Sequence, residues 1–260
     1  MESLVQIEVA DGVATVAVVN PPVNALADPV LDELGAAARR LAADDAVRSV
    51  VLTGGGERSF IAGADLRHFA EILGDTGEMA AHVELTAGVF GAWDALPMPV
   101  VAAIGGHAMG GGLELALTCD LLVVDPRAKL GTPEVTLGLI PGAGGTQRLP
   151  RRIGLAAATR MLLLGTPVDA ATARACGLVD VVAEPGAALP EAHALAVRLA
   201  ALPARAVTAA KAALRTAAQA PLAEGLAAER ELFLGVAATA DAREGAIAFL
   251  AKRPPAFIHA

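Results

Sequence analysis

The chain reads as an α/β fold with an all-helical C-terminal segment, and three observations predict it. Short apolar runs of strand length alternate with patterns of helical period up to about residue 182. The first two runs are joined by Asp11-Gly12, a turn pair suited to a hairpin. Past about Pro185 the strand-like runs stop and only Ala-rich helical patterns follow. That shift divides the chain into residues 1–185, a strand-and-helix core, and residues 186–260, a helical subdomain rather than an independent domain.

Taken in order, residues 4–9 and 13–19 are predicted strands. Asn20-Pro21-Pro22 breaks them, and Asp28 is placed to cap a helix with Pro29 in its first turn. That helix reaches about Ala43, with Leu31, Leu34, Ala38 and Leu41 on its apolar side. Residues 49–53 form a buried strand closed by Gly54-Gly55-Gly56. Residues 59–66 turn from strand to helix, with Asp65 available as a cap. A helix is expected from Glu78 or Met79 toward Leu96. Within it, His82, Glu84 and Trp93 read as exposed or packing residues, since nothing at motif spacing accompanies them. Strands follow at 99–104 and 120–125. Lys129-Leu130-Gly131 reads as a turn, Gly142 to Gly145 as a flexible loop, and Thr146 as a cap for a helix through Arg152. Helices at 156–164 and 170–175 end at glycines, residues 178–182 return as a strand, and helices are expected at 189–202, 204–217, 222–234 and 241–250.

Composition narrows the function classes. A formal net charge of −8 argues against a surface for nucleic acid or anionic membrane, although a local basic patch could still take a small phosphorylated ligand. Two cysteines, Cys119 and Cys176, have no metal-ligand spacing and suggest no disulfide framework. Residues 95–113 lack charge, yet Pro97, Pro99 and five glycines make them a strand, a turn and a helix start rather than a membrane span. The start lacks a basic segment and an apolar run, so a soluble cytoplasmic protein is expected.

The chemistry concentrates between Gly105 and Leu149. Gly110, Gly111 and Gly112 precede a helical pattern, and glycines at a helix entrance let the backbone approach something closely. The first N–H groups there lack internal partners and sit at the positive end of the helix dipole, so they can receive an oxygen that becomes anionic. Glu114 lies three residues after Gly111, hence on the same face. A second carboxylate, Glu134, stands among prolines, glycines and aliphatics further on. Taken alone, a glycine triplet marks a turn and an acid in a first turn complements the dipole. The Gly-Ala-Gly-Gly run of residues 142–145 lacks the Gly-Lys-Ser/Thr ending of a phosphate loop.

The longer pattern resembles the crotonase superfamily, the enoyl-CoA hydratases and isomerases. The resembling residues run from Ala102-Ala103-Ile104-Gly105-Gly106-His107 through Ala108-Met109-Gly110-Gly111-Gly112-Leu113-Glu114-Leu115-Ala116, then Thr118-Cys119-Asp120. They resume from Pro133-Glu134-Val135-Thr136-Leu137-Gly138 through Gly144-Gly145-Thr146-Gln147-Arg148-Leu149, and Ala62-Gly63-Ala64-Asp65 matches the family's turn before a helix. The resemblance implies a spiral of strand-strand-helix turns, with C-terminal helices that build a trimer or a dimer of trimers.

By the same resemblance the catalytic pair is Glu114 and Glu134. The oxyanion donors are the N–H groups of Ala62 and Gly111. Substrate contacts fall on Asn24, Ala25, Leu26, Gly63, Ala64, Asp65, Leu66, Gly110, Pro133 and Gly142, with Phe249 and Lys252 completing a neighbour's CoA site. The implied activity is that of a hydro-lyase, the reversible hydration of a 2-trans-enoyl-CoA as in fatty-acid β-oxidation or related acyl-CoA catabolism. Neither a metal nor a prosthetic cofactor is implied, CoA being part of the substrate. Retention of both acids favours hydration over the rival isomerisation and over a non-catalytic acyl-CoA binder, while a branched-acyl or otherwise specialised hydratase of the same family, which can keep both acids, stays an alternative.

Overall fold

The structure is a computed structural model, and it describes residues 3–56 and 58–259. Asp11 (φ 53°) and Gly12 (φ 81°) both adopt the left-handed backbone that a two-residue hairpin turn requires. They join β1 (Val5–Ala10) to β2 (Val13–Val18) in antiparallel register. Helix α1 (Asp28–Ala42) follows and buries Leu31, Leu34, Ala38 and Leu41. Asp28 is not its cap: Ala27 holds that position, and the Asp28 carboxylate instead accepts from His82 Nδ1 at 2.9 Å.

The next elements come in repeating turns. β3 (Ser49–Gly54) leads to β4 (Ser59–Ile61), then α2 (Leu66–Ile72) and α3 (Thr76–Asp94). β5 (Val100–Ile104) leads to β6 (His107–Met109) and α4 (Gly111–Ala116). β7 (Leu121–Val124) leads to β8 (Lys129–Gly131), a 3₁₀ turn over Pro133–Leu137, α5 (Gly145–Ile153) and α6 (Leu155–Leu164). The first strand of each turn enters one sheet and the second enters another. β9 (Val168–Asp169), α7 (Ala170–Ala175) and β10 (Val181–Val182) close the spiral. The sheets are ordered β1-β2-β3-β5-β7-β10 and β4-β6-β8-β9. Beyond the hairpin the larger sheet is parallel throughout, so its strands need helical crossovers.

Alternation along the strands gives the large sheet two covered faces. Val50, Leu52, Val100, Ala102 and Ile104 join the main core with α1 and the fully buried Trp93. Val51, Val101, Ala103 and Val123 meet Ala188, Ala192, Ala196 and Ala200 of α8 (Ala188–Ala200) on the other face. The break expected at 185/186 therefore separates α8 from the sheet it packs against. The helices beyond are α9 (Ala204–Gln219), α10 (Leu222–Ala237) and α11 (Ala240–Leu250). Lys211 pins α9 to the sheet: its buried Nζ donates to Asp120 Oδ2 at 2.6 Å and to the Met98 carbonyl at 2.8 Å.

Several expected boundaries shift for local reasons. α3 starts earlier than its apolar pattern because Asp75 Oδ1 accepts from the N–H groups of Gly77 and Glu78. Residues 129–131 are a strand, not a turn. Gly144 caps α5 in place of Thr146. No helix among the described residues is long and apolar enough to cross a membrane.

Candidate active site

Gly110 makes the first half of the site. It takes φ 50° and ψ −125° at the N-cap of α4, a conformation that side-chain-bearing residues rarely adopt. A Cβ there would stand 3.0 Å from Glu134 Oε1, so glycine is what admits that carboxyl. A Cβ on Gly112 would collide with the Ile61 carbonyl. The two glycines let the α4 entrance press against both the second carboxylate and the end of β4.

Glu114 points from α4 into a cavity of about 360 Å³ and is only 3% exposed. Its Oε1 accepts from the N–H of Ala143 at 2.8 Å and of Gly145 at 2.7 Å. The loop expected to be flexible is thus the clamp on this acid. Burial raises the Glu114 pKa above the usual carboxylate range, opposed by those two N–H groups and by the Arg148 charge. Arg148 donates to the Ala143 carbonyl at 2.9 Å, which steadies the clamp from behind.

Glu134 sits on the 3₁₀ turn opposite, in the same cavity. Its Oε2 is buried and has no hydrogen-bond partner among the described residues. Burial, and secondarily the Glu114 charge, push its pKa up to about 7, against the opposing pull of its own backbone N–H. The cavity thus brings together two acids of unlike setting, one clamped and one unsatisfied.

The expected oxyanion donors need one correction. Gly111 N–H, at the open end of α4, has no acceptor among the described residues. Ala62 N–H is not free: it donates to the Val23 carbonyl at 3.1 Å. Two residues on, Ala64 N–H has no acceptor among the described residues, because its bridge to Leu26 uses the Gly63 carbonyl and the Asp65 N–H. Ala64 N also lies against Gly111, 3.9 Å from where a Cβ on that glycine would stand. The free pair of donors is therefore Ala64 and Gly111.

Of the expected substrate contacts, Leu26, Gly63, Ala64, Leu66, Gly110, Pro133 and Gly142 line the cavity. Asn24, Ala25, Asp65, Phe249 and Lys252 do not. Asn24 is a buried strut at φ 56° whose Nδ2 donates to the carbonyls of Gly55, Ser59 and Phe60. Its Oδ1 accepts from Asn20 N–H, and Asn20 in turn donates to the Ala25 carbonyl. Asp65 Oδ1 caps α2 through Arg67 N–H. Phe249 and Lys252 lie on the exposed end of α11 and just past it, away from this chain's cavity.

The cavity also takes residues outside the expected substrate contacts, four of them on the stretch 74–91 whose counterpart the family resemblance places along the acyl pocket. Met79, His82, Val83 and Thr86 of α3 form a stripe at helical spacing that lines one wall with Leu31 and Phe69. His82 is therefore neither exposed nor merely packed away. That spacing was a visible signal, obscured because α3 carries apolar residues on every side.

The chain belongs to the enoyl-CoA hydratase/isomerase family, whose model matches residues 8–259. It is 43% identical over 235 residues to the 2,3-dehydroadipyl-CoA hydratase of Escherichia coli, covering 90% of this chain and 88% of that protein. It is 39% identical over 236 residues to the crotonyl-CoA hydratase of Syntrophomonas wolfei, covering 90% of each. The crystal structure of an enoyl-CoA hydratase from Bacillus anthracis superposes with a TM-score of 0.93 at 36% identity, covering 99% of this chain and all of that one.

Proposed function

We propose that Glu114 and Glu134 together carry the reversible addition of water to a 2-trans-enoyl-CoA, giving a 3-hydroxyacyl-CoA. The observation that carries this is the contrast between the two acids across one cavity. Glu114 Oε1 is held by two backbone donors. That fixes the carboxylate and leaves Oε2 to orient a water and take its proton as the oxygen attacks C3. Glu134, whose pKa is raised to about 7, is substantially protonated at neutral pH and can deliver a proton to C2. Charge that builds on the thioester oxygen during attack is received by the N–H groups of Ala64 and Gly111, with Ala64 in the place first assigned to Ala62. Dehydration runs the same steps backwards.

Each proton and each developing charge has a donor or acceptor in these groups, so the reaction calls for no metal or prosthetic group. Incubation with crotonyl-CoA should remove the enoyl absorbance, and a 3-enoyl-CoA should convert much more slowly. Rapid 3-enoyl conversion without hydration would assign the chain to the isomerases instead.

The working form proposed is a trimer or a dimer of trimers. Phe233, Leu234, Phe249 and Leu250 on α10 and α11 are all more than half exposed, and α10 buries no residue. An apolar surface of this extent favours a closed assembly. In it, Phe249 and Lys252 would reach a neighbour's CoA. Light scattering should return at least three chain masses, and a monomer at micromolar concentration would overturn the assembly. The cytoplasm suits the two free thiols, Cys119 and Cys176.

A further inference from the structure

His82 is the ionisable residue of the cavity lining that hydration does not use. Its side chain is 10% exposed, on the α3 stripe with Met79, Val83 and Thr86. Asp28 Oδ1 lies 2.9 Å from its Nδ1. A carboxylate can only accept, so Nδ1 carries the hydrogen and Nε2 remains for another partner. No group among the described residues takes it. Thr86 supplies no proton to it either, because its hydroxyl donates to the His82 carbonyl at 2.9 Å. The ring is fixed edge-on by Phe69 and His68, with centroids 5.8 and 6.0 Å away. His68 Nε2 approaches the other Asp28 oxygen at 3.4 Å.

An alkyl tail laid against this wall would strip water from Nε2 and return nothing, a penalty that buried polar groups impose on apolar ligands. A carboxylate would be paired instead. With Nδ1–H held on Asp28, a proton taken up from solvent on Nε2 together with the ligand lets the ring donate to that carboxylate, a charge-assisted bond in an otherwise apolar surround. We propose that this pocket selects enoyl-CoA substrates whose acyl chain ends in a carboxylate, with His82 as the residue that reads it and Asp28 as its positioning partner. The inference rests on hydration being the reaction. The alternative, that Asp28–His82 only pins α1 to α3, predicts a loss of stability with no change of substrate preference.

The test compares kcat/KM for methyl-ended and carboxylate-ended 2-enoyl-CoA esters of six and eight carbons, in the wild type, His82→Leu, His82→Gln and Asp28→Asn. The wild type should prefer a carboxylate-ended ester at one length by about tenfold or more, and His82→Leu should lower that ratio by about 10- to 100-fold. His82→Gln, which keeps a donor, should retain part of the preference, and Asp28→Asn should weaken it. The within-protein ratio is unaffected by the fraction folded, and Asp28→Asn supplies the second variant should His82→Leu not fold. A wild type that prefers methyl ends at both lengths, or variants that leave the ratio within about twofold, would overturn the proposal. Crotonyl-CoA separates the two readings. Its hydration without any carboxylate preference sinks this inference alone, whereas no hydration of any ester sinks the hydratase reading.

Discussion

The entrance of α4 and the 3₁₀ turn at Pro133 each present a glutamate to the same cavity, and they hold it in opposite ways. At α4 the acid is buried within a helix and clamped by the N–H groups of Ala143 and Gly145. At the turn it stands on a short, half-exposed element, and one buried oxygen has no partner among the described residues. Both carboxyls are pushed up by burial. The clamped one is pulled back by two backbone donors from a facing loop and by an arginine, the other only by its own backbone N–H while the Glu114 charge pushes it further up. The difference teaches that hydrogen-bond supply, and not burial alone, divides proton tasks between like residues.

The strongest way to break the comparison is to remove each proton site in turn. Glu114→Gln and Glu134→Gln should each lower kcat for crotonyl-CoA by about a thousandfold, with little change in CoA-ester affinity. The double variant should lose far less than the product, because both acids serve one water and one transition state. The wild-type kcat/KM should decline as pH rises through about 7, where Glu134 surrenders its proton. Residual activity of Glu134→Gln should lack that alkaline limb. Near-normal turnover in both single variants would end the two-acid mechanism.

A second experiment sharpens the oxyanion side. Proline at a donor position deletes the N–H. Ala64→Pro should cost about a hundredfold in kcat, in line with loss of one oxyanion donor. Ala62→Pro removes a bond to Val23 and should act mainly on stability. Circular dichroism and thermal melts separate folding from turnover. If Ala62→Pro folds and is the slower enzyme, the donor assignment reverts to Ala62.

What the sequence made legible follows from how local each cause is. The Asp11-Gly12 hairpin and the parallel strands at 49–54, 100–104 and 121–124 depend on nearby turn chemistry and continuous apolar runs. The second sheet is built from strands of two or three residues, too short to show a period. Glu114 and Glu134 were legible as motif members. Which backbone N–H stays free was not, because Val23 takes the one at Ala62 from a distant loop. Asn24 looked like a ligand contact for the same reason: its carbonyl partners at Gly55, Ser59 and Phe60 come from later in the chain. His82 joins the pocket through Asp28, fifty-four residues away.

The smallest expected effect tests the unsatisfied acid through stability. Glu134 has its folded pKa near 7, against 4.5 for an ordinary glutamate. Between those values the folded chain keeps a proton that the unfolded chain has lost. Stability contributed by that proton is complete below about 4.5 and is lost as pH climbs through about 7. Glu134→Gln cannot titrate there, so it should fall behind less as pH rises. Its melting temperature minus that of the wild type should therefore increase between pH 4.5 and 7 and level off above. The rise should be about 2–4 °C, since the group is partly open to solvent and screening trims the effect. Glu114→Gln keeps one oxygen to accept from Ala143 and Gly145 but makes both bonds neutral where the carboxylate would be charged, so it should be the less stable of the two variants. A difference for Glu134→Gln that stays flat with pH would show that Glu134 carries no excess proton in the folded chain, and the acid assigned to C2 would have to be found elsewhere.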